Sequence, residues 1–177
     1  MLPAHYERTV SIRLPFRVPG SKRNQTVTLV RTLSGKGDGV LPEKSCTVFV
    51  VDDDDSVRKA LGRLLSANGY LVMTFASAED FLLASRLCAK GCIVLDIRLP
   101  GMSGLDLHER LVSTGAHFPV IFITAQDNPQ WQKRAAETGA VAYLRKPFDQ
   151  QSLIEALHIA YRRLDAEKLK KRAEEKE

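Results

Sequence analysis

Asp52, Asp53, Asp54 and Asp55 form an unbroken acidic run directly after the apolar stretch Thr47–Val51, and Asp96 stands directly after Cys92–Leu95. Thr124 follows Val120–Ile123, and Arg145-Lys146-Pro147 follows Val141–Leu144. Two carboxylates about 4 Å apart repel by about 4 kcal/mol at an effective dielectric of about 20, and a third adds to this. A hard divalent cation relieves the repulsion. Mg2+ in particular takes one or two carboxylates, keeps several waters and leaves room for phosphate oxygens. A lysine ammonium supplies a compact charge for a phosphoryl oxygen, and a threonine hydroxyl can donate to another. With one carboxylate as nucleophile, the set is matched to phosphoryl transfer. Singly these residues say little. An aspartate run after a strand is often only a helix N-cap, and Asp55 is read as that alone.

What gives the set meaning is the pattern of elements that carries it. The five apolar runs Thr47–Val51, Leu71–Phe75, Cys92–Leu95, Val120–Ile123 and Val141–Leu144 lack polar alternation, as strands covered on both faces do. Between them lie helical periodicities. Val57, Leu61, Leu64 and Leu65 are stopped by Asn68-Gly69, and Ser77-Ala-Glu-Asp80 is a capping box before Phe81. Leu153, Leu157, Ala160 and Leu164 make the stripe of a last helix entered through Pro147 and an Asp149 cap. Strand and helix alternating five times predict a doubly wound α/β domain with a parallel sheet. In such a sheet ligands bind beyond the carboxyl ends of the strands. Asp52–Asp55, Asp96, Thr124 and Lys146 all stand there, whereas the second run ends only in Ala76-Ser77, as an edge strand would.

The flanks are of another kind. Residues 1–45 carry 8 Lys+Arg against 3 Asp+Glu, residues 46–161 carry 11 against 13, and residues 162–177 carry 7 against 5. The formal net charge of +5 therefore lies outside the central stretch, which gives no basic surface for direct nucleic-acid binding. Residues 1–45 are read as a disordered or mis-assigned extension, although alternation over Val10–Val18 and Val27–Leu33 fits an edge hairpin. Ser34–Gly39 has linker composition and lacks the GxxxxGK[ST] pattern of a nucleotide-binding loop. The charged run from Asp165 to Glu177 favours helix and reads as a solvated helical tail or a truncated linker. Cys46, Cys88 and Cys92 form no metal-ligand pattern, and none of His5, His108, His117 and His158 pairs with a nucleophile. No apolar run approaches the roughly 20 residues of a membrane span, so a cytoplasmic protein without membrane association is expected.

Four blocks, Val50-Val-Asp-Asp53, Val94-Leu-Asp-Ile-Arg-Leu-Pro-Gly-Met-Ser-Gly104, Ile123-Thr-Ala125 and Gly139-Ala-Val-Ala-Tyr-Leu-Arg-Lys-Pro-Phe148, resemble the signature blocks of response-regulator receiver domains, in wording nearest the FixJ-like branch. The resemblance implies a receiver over residues 46–164 with a flavodoxin-like (βα)5 fold and strand order 2-1-3-4-5. It implies Asp96 as phosphoacceptor and Asp53 as direct Mg2+ ligand. Asp52 would act through a metal-bound water, and Arg98 would lend its backbone carbonyl. Thr124 and Tyr143 match the switch pair, and Lys146 the phosphate-binding lysine, before a proline that in the family follows a cis bond. Arg98 and Gln126 fall at variable positions near the pocket. The implied partners are a sensor histidine kinase and an unknown downstream protein, read through the face of the fourth helix, fifth strand and fifth helix that includes Tyr143, with homodimerisation through that face as a further expectation.

Two rivals fare worse. An aspartyl phosphatase of the haloacid dehalogenase type needs a second aspartate two positions after the nucleophile, where this sequence has Arg98. A DNA-binding transcription factor is the second, but nothing after Leu164 has the length or pattern of a helix-turn-helix, which leaves as alternative the N-terminal receiver part of a truncated transcriptional regulator.

Overall fold

The computed structural model describes residues 6–13, 26–33, 47–85 and 91–174. Two strands, β1 (Tyr6–Arg13) and β2 (Thr26–Leu33), come first. A strictly alternating series follows: β3 (Thr47–Val51), α1 (Asp55–Ala67), β4 (Leu71–Phe75), α2 (Ala78–Ser85), β5 (Gly91–Asp96), α3 (Gly104–Ser113), β6 (Val120–Thr124), α4 (Pro129–Glu137), β7 (Ala142–Arg145) and α5 (Gln150–Glu174).

The five strands of the alternating series pair in parallel in the order β4-β3-β5-β6-β7. Numbered within the series, this is the expected 2-1-3-4-5. The sheet is nevertheless wider than five strands. β2 pairs antiparallel with β4, and β1 antiparallel with β2, so among the described residues the sheet has seven strands. These two strands come from the segment read as an extension, and they take its hairpin form with the first strand earlier than the Val10–Val18 alternation suggested. Pro15 and Pro19, which cannot donate to a sheet ladder, lie after β1 ends. The Ser34–Gly39 linker, Cys46 and Cys88 lie outside the described residues.

Successive strand residues face opposite sides, which splits the core in two. Phe49, Val51, Ile93, Leu95 and Phe122 pack with Phe81 of α2, Leu107 and Leu111 of α3 and Ala135 of α4. Val48, Val50, Val94, Ile121 and Ile123 pack with Leu61 and Leu65 of α1 and Leu153 and Leu157 of α5. Fully burying a side chain of this size contributes about 1.5–3 kcal/mol. The central strands are therefore the rigid floor on which the loops at their carboxyl ends stand.

Local chemistry sets the helix ends. Asp54, not Asp55, caps α1: its Oδ1 accepts from the Ser56 and Val57 amides. Asp55 is the first helical residue and pairs instead with Arg58 and Lys59. Cap and first-turn acid are adjacent in the acidic run, so composition alone could not separate them. Asn68 closes the helix, and Gly69 follows at φ 85°, a region open to glycine at no steric cost. Ser77 Oγ accepts from the Asp80 amide at 3.1 Å, and Asp149 Oδ1 from the Ser152 amide at 2.8 Å, as the sequence predicts. Helix α5 runs unbroken through Leu164 to Glu174.

Candidate functional site

The loops after β3, β5, β6 and β7 bring most of the predicted residues to one rim. One oxygen from each of Asp52, Asp53 and Asp96 fits a group whose members all lie within 4.8 Å of one another. Asp52 is wholly buried at the end of β3, Asp96 is 8% exposed at the end of β5, and Asp53 faces solvent. Lys146 reaches over from the end of β7. Its Nζ donates to Asp52 Oδ2 at 2.6 Å and to Asp96 Oδ2 at 3.0 Å.

Backbone amides complete the cradle. The Asp54 N–H donates to Asp52 Oδ1 at 2.9 Å, and the Arg98 N–H to Asp96 Oδ1 at 3.2 Å. Gly104, at the start of α3, passes so close to the Asp96 carbonyl that a Cβ there would overlap it. This packing sets where the chain turns after Asp96. The Lys146–Pro147 peptide bond is cis, and the Lys146 amide donates to the Thr124 carbonyl at 2.7 Å.

Burial and charge oppose one another here. Burial pushes the Asp52 carboxyl above the usual carboxylate range, while Lys146 and the Asp54 amide pull it down. Burial works against the Lys146 ammonium, yet its bonds to Asp52 and Asp96 outweigh that and hold its pKa above the ordinary value. The lysine is thus charged and lodged between two carboxylates. Three carboxylates against one ammonium leave two negative charges, and every unshared donor is a hard oxygen. A small divalent cation fits that donor set.

Two predicted residues stand beside the cluster rather than in it. Thr124 is fully buried at the end of β6, and its Oγ1 accepts from the Gln126 amide at 3.2 Å. Tyr143 on β7 turns its hydroxyl to the Gln126 carbonyl at 3.5 Å, a weak contact by geometry. Gln126 therefore touches both predicted switch residues through its backbone.

Sequence reasoning missed Arg58. Its Nη1 donates to the Asp52 carbonyl at 2.6 Å and its Nη2 to Asp55 Oδ1 at 3.1 Å. The only signal was an arginine three residues after an aspartate at a helix start, which ordinarily means a surface pair. Also unforeseen was Arg134 of α4, which bonds Asp106 and Glu109 of α3.

Comparison with known families bears directly on this arrangement. The response regulator receiver domain family matches residues 48–158. The chain belongs to that family. Response-regulator receivers are signalling domains rather than metabolic enzymes, and the aspartyl phosphate of phosphorelay signalling follows from the family. The transcriptional regulatory protein TdiR of Thauera aromatica is 44% identical over 114 residues, covering 64% of this chain and 50% of TdiR. The transcriptional regulatory protein FixJ of Azorhizobium caulinodans is 43% identical over 117 residues, covering 66% of this chain and 55% of FixJ. This receiver chain thus spans about half the length of the curated relatives it matches. Among solved structures, the response regulator StyR aligns with a TM-score of 0.66 at 41% identity, over 75% of this chain and 69% of that one. FixJ-N aligns with a TM-score of 0.63 at 37% identity, over 66% of this chain and 94% of that one.

Proposed function

We propose that this receiver takes a phosphoryl group from the phosphohistidine of a sensor histidine kinase onto Asp96. The observation that carries the reading is the meeting of Asp52, Asp53, Asp96 and Lys146 at the strand ends. Asp96 is the nucleophile. A carboxylate oxygen forms the new O–P bond while the P–N bond breaks and its electron pair stays with the imidazole. Lys146, already 3.0 Å from Asp96 Oδ2, neutralises charge on the phosphoryl oxygens. Asp53, Asp96 and the Arg98 carbonyl would hold Mg2+, with Asp52 acting through a water, and the ion would supply charge stabilisation to the transferring group.

Thr124 then exchanges its Gln126 contact for a phosphoryl oxygen, and Tyr143 follows the Gln126 segment it touches. The conformer favoured is the one in which these contacts are better, and the shift equals only that difference. A downstream protein reads the face carrying Tyr143, and dimerisation through that face belongs to the same proposal. We assign the receiver unit to residues 46–164 and a helical tail or linker to residues 165–177. The location is cytoplasmic; among the described residues no helix is long and apolar enough to cross a membrane.

The test is transfer of radiolabel from acetyl phosphate. Wild-type label is expected to require Mg2+ and to vanish with EDTA and in Asp96→Ala. Label on Asp96→Ala would sink the assignment. A second reading, the N-terminal receiver part of a transcriptional regulator, is favoured by the relatives: TdiR and FixJ are transcriptional regulatory proteins, about half of whose length this chain spans. A downstream reading frame encoding a DNA-binding module decides between the two.

A further inference from the structure

Arg58 makes contacts that the phosphoryl-transfer reading does not use. It lies in the first turn of α1 with its side chain only 15% exposed, where an arginine ordinarily extends into water. Asp52 is wholly buried, so its carbonyl must find a donor inside the protein. Arg58 Nη1 supplies one at 2.6 Å while Nη2 holds Asp55 at 3.1 Å. A single planar fork therefore ties the first residue after β3 to the first residue of α1. Asp53 lies between the tied ends, as does Asp54, whose own amide is fastened to Asp52 Oδ1.

We propose that Arg58 is a positioning residue for the divalent-cation site, fixing the β3–α1 loop so that Asp52 and Asp53 present their oxygens at the spacing seen. The proposal rests on reading the acidic cluster as a metal site, and its test separates the two. Coulomb's law gives the decisive sign. A guanidinium is always charged and repels a nearby cation. If Arg58 acted only as a charge, removing it would tighten cation binding. If it positions the loop, removing it loosens binding.

The measurement is Mn2+ binding to the full chain, followed by loss of the free-ion electron paramagnetic resonance signal, for wild type, Arg58→Met and Arg58→Lys. Amide hydrogen exchange over residues 52–55 is read in the metal-free proteins. Arg58→Met is expected to weaken Mn2+ binding by about tenfold or more, as loss of a supporting contact does at other metal sites. Arg58→Lys is expected to weaken it too, because an ammonium lacks the fork that holds the Asp52 carbonyl and Asp55 together. Exchange at the Asp54 amide, now fastened to Asp52 Oδ1, is expected to quicken in both. Unchanged or tighter binding in Arg58→Met overturns the positioning role and leaves the metal site standing. A wild type that does not bind Mn2+ overturns both. Should the methionine variant fail to fold, Arg58→Lys carries the test, with weaker binding supporting the role and unchanged binding overturning it.

Discussion

Lys146 Nζ lies 2.6 Å from Asp52 Oδ2, joining the end of β7 to a carboxylate that has no exposed surface. Removing one partner of a buried pair leaves the other charge uncompensated. Lys146→Met is therefore expected to cost about 1–3 kcal/mol of unfolding free energy in EDTA and to abolish labelling by acetyl phosphate. Urea unfolding checks the first and autoradiography the second. A stability change under about 0.5 kcal/mol would mean that Asp52 is satisfied without the lysine.

Asp53 shows the opposite balance. Its carboxylate joins two others within 4.8 Å, a crowding that disfavours the metal-free fold. Asp53→Asn is expected to raise the melting temperature in EDTA while erasing the increase that Mg2+ gives the wild type. A ligand that binds only the folded state stabilises it by about 2.7 kcal/mol at a hundredfold excess over Kd, so thermal scans across Mg2+ concentration resolve both effects. An Asp53→Asn protein that Mg2+ still stabilises fully would remove this residue from the ligand set.

Much of this site was legible in the sequence because strand ends are legible. A buried parallel strand announces itself as an apolar run, and the first residues after it must stand at the rim. Asp52, Asp96, Thr124 and Lys146 follow from that rule without any contact being known. Arg58 does not follow from it. Its partner is a backbone carbonyl six residues back, and whether a helix side chain folds over its own N-terminus depends on space that only packing determines. The same holds for Arg134, whose partners lie one helix away, and for β2, which pairs with β4 through backbone bonds that carry little side-chain signature.

His108 gives a pH dependence. It is 4% exposed, packs edge-on against Phe122, and has Nδ1 3.0 Å from Thr138 Oγ1. Burial lowers its pKa below the ordinary 6.5, opposed in part by Glu109. The unfolded chain then takes up the proton first as pH falls, so this contribution to stability is present above about 6.5 and lost below it. Melting temperature is expected to fall between pH 7.5 and 5.5 by more in wild type than in His108→Gln. Parallel curves would assign the slope to other groups.

Arg134 ties α4 to α3 through Asp106 and Glu109, and Ala135 is the buried residue of α4. All three charged side chains are more than a third exposed, so the ties together are worth less than about 1 kcal/mol globally. Local motion is the more sensitive readout. Arg134→Gln is expected to leave the urea midpoint nearly unchanged while quickening hydrogen exchange within residues 129–137. Unaltered exchange there would show that apolar packing alone seats the helix.

Trp131 is the chain's one tryptophan and sits half-buried in α4 against the core. If Thr124 leaves Gln126 on phosphorylation, the segment before α4 moves and the indole senses it. Acetyl phosphate with Mg2+ is expected to change Trp131 fluorescence in wild type but not in Thr124→Ala, even where Asp96 still takes label. An equal change in both would uncouple Thr124 from α4.

Helix α5 continues ten residues past Leu164, to Glu174, without a break. A helix advances about 1.5 Å and turns about 100° per residue, so this stretch is a stiff stalk of about 15 Å with a defined angular phase. Whatever is fused beyond it inherits that phase. Inserting one alanine after Leu169 would swing a fused reporter through more than a quarter of a circle, whereas inserting seven would return it nearly to its starting bearing at greater reach. The length of such a helix sets the bearing of a fused reporter as well as its reach.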